Sequence, residues 1–179
     1  MLILIRLRRS RVPPTRRSVG FMTSVTDEHR LEAKQRLLAG LVRGDDAHGI
    51  AADVADLHVR HNTFPGEIFM AVAADALRMA DTAPNDRVAY RALLADHLPE
   101  VELRGKDQRR IQYAVLTAFA VHGGLEPDLL DEVTYWIEQY WQFALFAAVA
   151  IVRHCAERSG TSVESFATEL ARCDSIDIA

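Results

Sequence analysis

The sequence predicts an all-α fold, a single-domain bundle of about seven antiparallel helices around a buried central helix at roughly 127–159. Three observations lead there. Gly (9) and Pro (6) are scarce in 179 residues, so long segments run uninterrupted, and Ala, Leu, Arg and Glu fill them. Apolar residues recur at helical spacing, with no two-residue alternation and no hairpin signal. Finally, residues 143–152 are wholly apolar, Phe-Ala-Leu-Phe-Ala-Ala-Val-Ala-Ile-Val. That run is too short to cross a bilayer, so it belongs where a helix is covered on every side. A chain of this length with 49% hydrophobic residues can bury a core without disulfide or metal staples.

The elements follow in order. Thr26-Asp27-Glu28 places a hydroxyl cap before two acids in a first turn, and Leu31, Leu37, Leu38, Leu41 and Val42 follow at helical spacing up to Gly44. Asp45 or Asp46 caps a second helix, with Ile50, Val54 and Leu57 on its apolar face, reaching about Asn62. Thr63-Phe64-Pro65-Gly66-Glu67 restarts the chain for a helix containing Ile68, Phe69, Val72, Ala76, Leu77 and Met79. Pro84-Asn85-Asp86 breaks and caps again, before Val88, Tyr90, Leu93, Leu94 and Leu98, and Pro99 ends that helix. Asp107 starts a fifth, with Ile111, Val115, Leu116, Phe119 and Val121, closed by Gly123-Gly124. Pro127-Asp128 opens the longest stretch, expected to bend near Gln139–Gln142 and to end at Ser159-Gly160. Thr161 or Ser162 caps a last short helix with Glu164, Phe166 and Leu170.

Charge divides the chain. Residues 1–21 carry six arginines (Arg6, Arg8, Arg9, Arg11, Arg16 and Arg17) and no acid, so the remainder stands at about −10 against a formal total of −4. We expect a basic, disordered leader over 1–21, a helical domain over 22–173 and a tail over 174–179. Met1 to Ile5 is apolar but precedes the charge, the reverse of a secretory signal, and is too short for one. A start at Met22 would set Met22-Thr23-Ser24 directly before the first cap. The acidic body repels nucleic acid and anionic membrane, and only the leader attracts them. Two cysteines, Cys155 and Cys173, make no disulfide framework, which fits a reducing cytoplasm.

Functional signals are sparse. Tyr135, Trp136, Glu138, Tyr140 and Gln142 lie in a segment that holds both tryptophans and two of the four tyrosines. Rigid aromatics with polar tips beside them are the composition of a partner surface or ligand pocket, although such a stripe is more often plain core. His58 and His61 are three apart on one helix face, near Asp53, Asp56 and Glu67, and are the candidate metal ligands. The bundle-site pattern Glu-x-x-His does not occur, and neither does His-Glu-x-x-His. The chain also has no Gly-x-Ser-x-Gly elbow and no phosphate-binding glycine loop. The basic stretch Arg104-Gly105-Lys106-Asp107-Gln108-Arg109-Arg110 reads as a solvated helix start, with contact to phosphate or an acidic patch as the sharper alternative. The expectation is a helical interaction or regulatory protein without enzymatic activity or cofactor, binding itself or another protein. Two alternatives stand beside it: a small-molecule or metal-binding helical protein or enzyme with a pocket against the central aromatic helix, and nucleic-acid or membrane-surface binding through the arginine leader.

Overall fold

A computed structural model describes residues 27–61, 66–82, 90–102, 105–124 and 139–172. It is all-helical, a single-domain bundle of packed helices. In chain order these are α1 (Asp27–Arg43), α2 (Ala47–His61), α3 (Gly66–Met79), α4 (Tyr90–His97), α5 (Lys106–His122), α6 (Trp141–Arg158) and α7 (Val163–Leu170). Among the described residues there is no strand.

The ends of these helices show why the chain turns where it does. Gly44, at φ +76°, closes α1: the Asp45 N–H reaches the Gly40 carbonyl and the Gly44 N–H reaches Leu41. Gly160, at φ +66°, ends α6 with the same pair of bonds, to Ala156 and Glu157. Both are the left-handed exit that a residue without Cβ adopts at least cost. Asp46 starts α2, its Oδ1 accepting the Gly49 N–H at 2.6 Å. Ser162 starts α7, its hydroxyl accepting the Ser165 N–H at 3.1 Å. At α5 the helix begins one residue before the expected Asp107. Gly105, at φ +54°, takes the cap position without a side-chain bond, and Asp107 instead pairs with Arg110 inside the first turn.

The expected bend near Gln139–Gln142 is a break at Tyr140. Its backbone (φ −120°, ψ 37°) leaves the helical region, and α6 starts afresh at Trp141. From Ala144 to Val152 every residue of α6 is buried, as the unbroken apolar run requires. The helix packs against α3, α5, α4, α2, α7 and α1, so it is the centre of the bundle. It shares that place with α3, its most extensive neighbour, which is buried from Ile68 through Leu77. Alanines let the two inner helices approach: Ala73, Ala74 and Ala76 on α3, and Ala144, Ala147 and Ala148 on α6, are all at 0% exposure. The one acid on the inner run of α3, Asp75, is ion-paired with Arg78 a turn away.

Among the described residues no helix is long and apolar enough to cross a membrane. The leader, the residues from Cys173 onward and the first part of the 127–159 stretch lie outside the described residues.

Candidate functional site

The basic stretch and the aromatic segment, far apart in the chain, meet at the junction of α5 and α6. Arg110, in the first turns of α5, lays its guanidinium over the Tyr140 ring at 4.4 Å from the centroid and reaches the Phe143 ring at 5.4 Å. The two rings are tilted at 45° with centroids 6.2 Å apart. Asp107 holds the other side of the guanidinium at 3.0 Å. A planar cation against aromatic faces is attracted by the ring quadrupole, by about 0.5–1 kcal/mol at a partly exposed site. Tyr140 and Phe143 are half-buried, while Trp141 between them is buried in the core.

Beyond Arg110 the outer face of α5 carries Lys106, Arg109, Tyr113 and Leu116, all exposed. Tyr113 is 43% exposed and Leu116 46%, and the described residues hold one other large hydrophobic as open, Leu31 at 42%. Among the described residues neither Lys106 nor Arg109 is in an ion pair. Gln142 is exposed at the start of α6, beside the stacked rings in sequence. The surface therefore combines arginine, tyrosine and leucine around a preformed cation–aromatic stack.

Of the residues singled out from sequence, Tyr140 and Gln142 fall at this junction. Tyr135, Trp136 and Glu138 lie outside the described residues. So do the side chains of His58 and His61 at the end of α2. Among the described residues no group of three or more His, Cys, Asp or Glu is arranged to hold a metal ion.

A groove and a polar cluster lie elsewhere in the bundle. A groove of about 430 Å³ runs between α1 and α7, lined by Leu31, Leu38, Val42 and Ala167 with Lys34 and Arg43 among its polar residues. Arg43 is already engaged by Asp45 at 2.7 Å and Asp53 at 2.6 Å, and those bonds raise its pKa further. The second is a polar cluster that ties α4 and the turn before α2 to α6. Arg153 donates to Glu100 at 2.7 Å and to the His97 carbonyl at 2.8 Å, and Glu100 accepts the Ala47 N–H at 3.1 Å. Burial pushes the Glu100 carboxyl up, but the backbone N–H groups and Arg153 outweigh it and hold the group below the usual range. Nearby, His97 Nε2 lies 3.3 Å from His154 Nδ1 and 3.5 Å from Glu157. These contacts join α4 and the turn before α2 to α6. Cys155, next to His154, is buried in the core, and burial pushes its thiol up to about 12, so it is neither nucleophile nor thiolate ligand at neutral pH.

No protein-family model, curated protein or solved structure matches the chain.

Proposed function

We propose that this chain is a helical interaction protein that binds protein partners through the α5–α6 surface, and that it does so without catalysing a reaction. One observation carries the reading. Arg110 is stacked across Tyr140 and Phe143 beside Tyr113 and Leu116, two of the three open large hydrophobics among the described residues. Arginine and tyrosine are the residues that dominate binding energy at protein interfaces, and side chains already held in place lose less freedom on binding. Two cysteines and no framework of them fit action in the cytoplasm.

The test is site-specific photo-crosslinking in cells that express the chain. A photoreactive side chain at Tyr113 should give discrete protein adducts, and Arg109→Glu in the same chain should cut their yield about tenfold. The same group at Gln35, in the α1–α7 groove, should give none. Adducts from Gln35 with none from Tyr113 would move the interaction to the groove and reject this reading.

The groove supports a second reading, a binder of a small apolar molecule, because about 430 Å³ is within the range of ligand pockets. It is not built against the central helix, since its lining comes from α1 and α7. A ligand in whole-number ratio to the chain in native mass spectra, lost on Leu38→Arg, is the result that would favour it.

A further inference from the structure

We infer that α4 is an acid-operated flap, latched onto α6 by the histidine pair His97 and His154, and that the latch opens when both rings carry a proton. His97, the last residue of α4, brings its Nε2 to 3.3 Å from His154 Nδ1 on α6, with the two rings at 70° to each other. At that distance the two imidazoles share a hydrogen bond, and such a bond needs one ring to offer a lone pair. A neutral imidazole has one donor and one acceptor nitrogen, whereas a protonated one has two donors. The bond therefore exists with both rings neutral or with one of them protonated. With a proton on both, N–H faces N–H, and two like charges stand where the bond was.

The charges around the pair accommodate one proton and oppose a second. Glu157, one turn beyond His154 on α6, holds an oxygen 3.5 Å from the same His97 Nε2 and balances a single cation there. That carboxylate is 76% exposed, so solvent weakens its hold on more than one. Arg153 is a standing positive charge beside them. Its guanidinium donates to the His97 carbonyl at 2.8 Å, to Glu100 at 2.7 Å and to the Asp45 carbonyl at 3.3 Å. Glu100, in the turn after α4, is already engaged by Arg153 and by the Ala47 N–H. From α5, the other helix packed on α4, no hydrogen bond or ion pair reaches His97 among the described residues. Double protonation therefore sets two imidazolium rings beside a guanidinium, at the very residue that ends α4.

The latch acts on a helix that depends on being docked. α4 has 8 residues, too few for a helix to persist alone in water. It packs on α6 and, less extensively, on α5, through the buried Leu93 and Leu94, with Leu98 just beyond its end. Opening bares those leucines and the part of α6 beneath them, an apolar face that the chain shows in mild acid and hides at neutral pH. Histidine is the side chain that titrates between about pH 5 and pH 8, so the flap answers to mild acidification. Glu100 is held below the usual carboxylate range and keeps its charge there, which separates this opening from any loss of the Glu100–Arg153 pair at lower pH.

Hydrogen exchange of the full chain at about pH 7.5 and about pH 5 tests this, read as protection factors so that the intrinsic pH dependence of exchange divides out. Protection of the α4 amides should fall at least about tenfold at the lower pH, while residues 144–152 of α6 keep theirs. His97→Gln should abolish the fall, because a side-chain amide can turn to donate or accept and so keeps its bond to His154 in either charge state. His154→Asn should do the same from the other side of the pair. Circular dichroism at neutral pH identifies the variants that keep their helices, and one folded variant suffices. Equal α4 protection at both pH values in the unsubstituted chain overturns the proposal. So does a folded variant whose α4 protection falls as far as that of the unsubstituted chain, since the response would then belong to other groups.

Discussion

Single residues decide how tightly the bundle closes. Gly40 on α1 faces Ile50 on α2 so closely that a Cβ built on it would lie 2.6 Å from Ile50 Cγ1. Ile50 is fully buried and the clashing atom is not the far end of its side chain, so it has nowhere to go. Alanine gains about 1 kcal/mol over glycine from helix propensity alone, but overpacking costs typically 1–3 kcal/mol. Gly40→Ala is therefore expected to destabilise by up to about 2 kcal/mol, read as a lower urea midpoint with unchanged slope. A stabilised variant would show that α1 and α2 are further apart. Glu100 is the corresponding point for electrostatics. Its carboxyl is held below its ordinary value of 4.5, so the folded chain binds fewer protons there than the unfolded one. That contribution is present above the unfolded value and is lost as the pH falls through the lowered folded one. Glu100→Gln should cost about 1–2 kcal/mol at neutral pH, by weakening the bonds to Arg153 and Ala47, and should flatten the loss of stability below pH 4.5. An unchanged acid limb in stability measured against pH would deny the carboxylate this role.

At the scale of elements, much was legible because helix signals are local. Gly44, Asp46, Ser162 and Gly160 mark ends that the backbone bonds confirm, and the apolar run at 143–152 identified an inner helix from composition alone. The same signal is present in Ile68–Leu77, nine of whose ten residues are apolar, with Asp75 the one exception. In the fold Arg78, one turn on, takes up that carboxylate, which lets α3 be buried almost throughout. α5 starts one residue before Asp107, because Gly105 at positive φ takes the cap position and Asp107 pairs with Arg110 inside the first turn. What local pattern does not carry is which elements meet. Arg110 and Tyr140 are thirty positions apart, and their stacking depends on the crossing of α5 with α6 and on the break at Tyr140. The basic stretch and the aromatic segment were each visible as compositions; that they form one surface is a property of the fold. Leu116 shares its helix with the buried Ile111, Val115 and Phe119, and periodicity alone does not separate it from them; in the fold it is 46% exposed.

Over its described residues the molecule is an alanine-rich bundle with two inner helices, and the described surface offers three open large hydrophobics in two places. Tyr113 and Leu116 lie together on α5, and Leu31 lies at the α1–α7 groove. Isolated exposed apolar side chains are ordinary, but a pair flanked by cations and a preformed cation–aromatic stack is the arrangement an interface uses. The three side chains also report on one another, because each is open in the single chain. Hydroxyl-radical footprinting of the full chain, compared between dilute purified protein and cells at native abundance, reads all three at once. The account predicts that labelling of Tyr113 and Leu116 falls severalfold in cells while Leu31 is labelled equally in both. Protection of Leu31, with Tyr113 and Leu116 labelled as before, would contradict it and place the working surface at the groove.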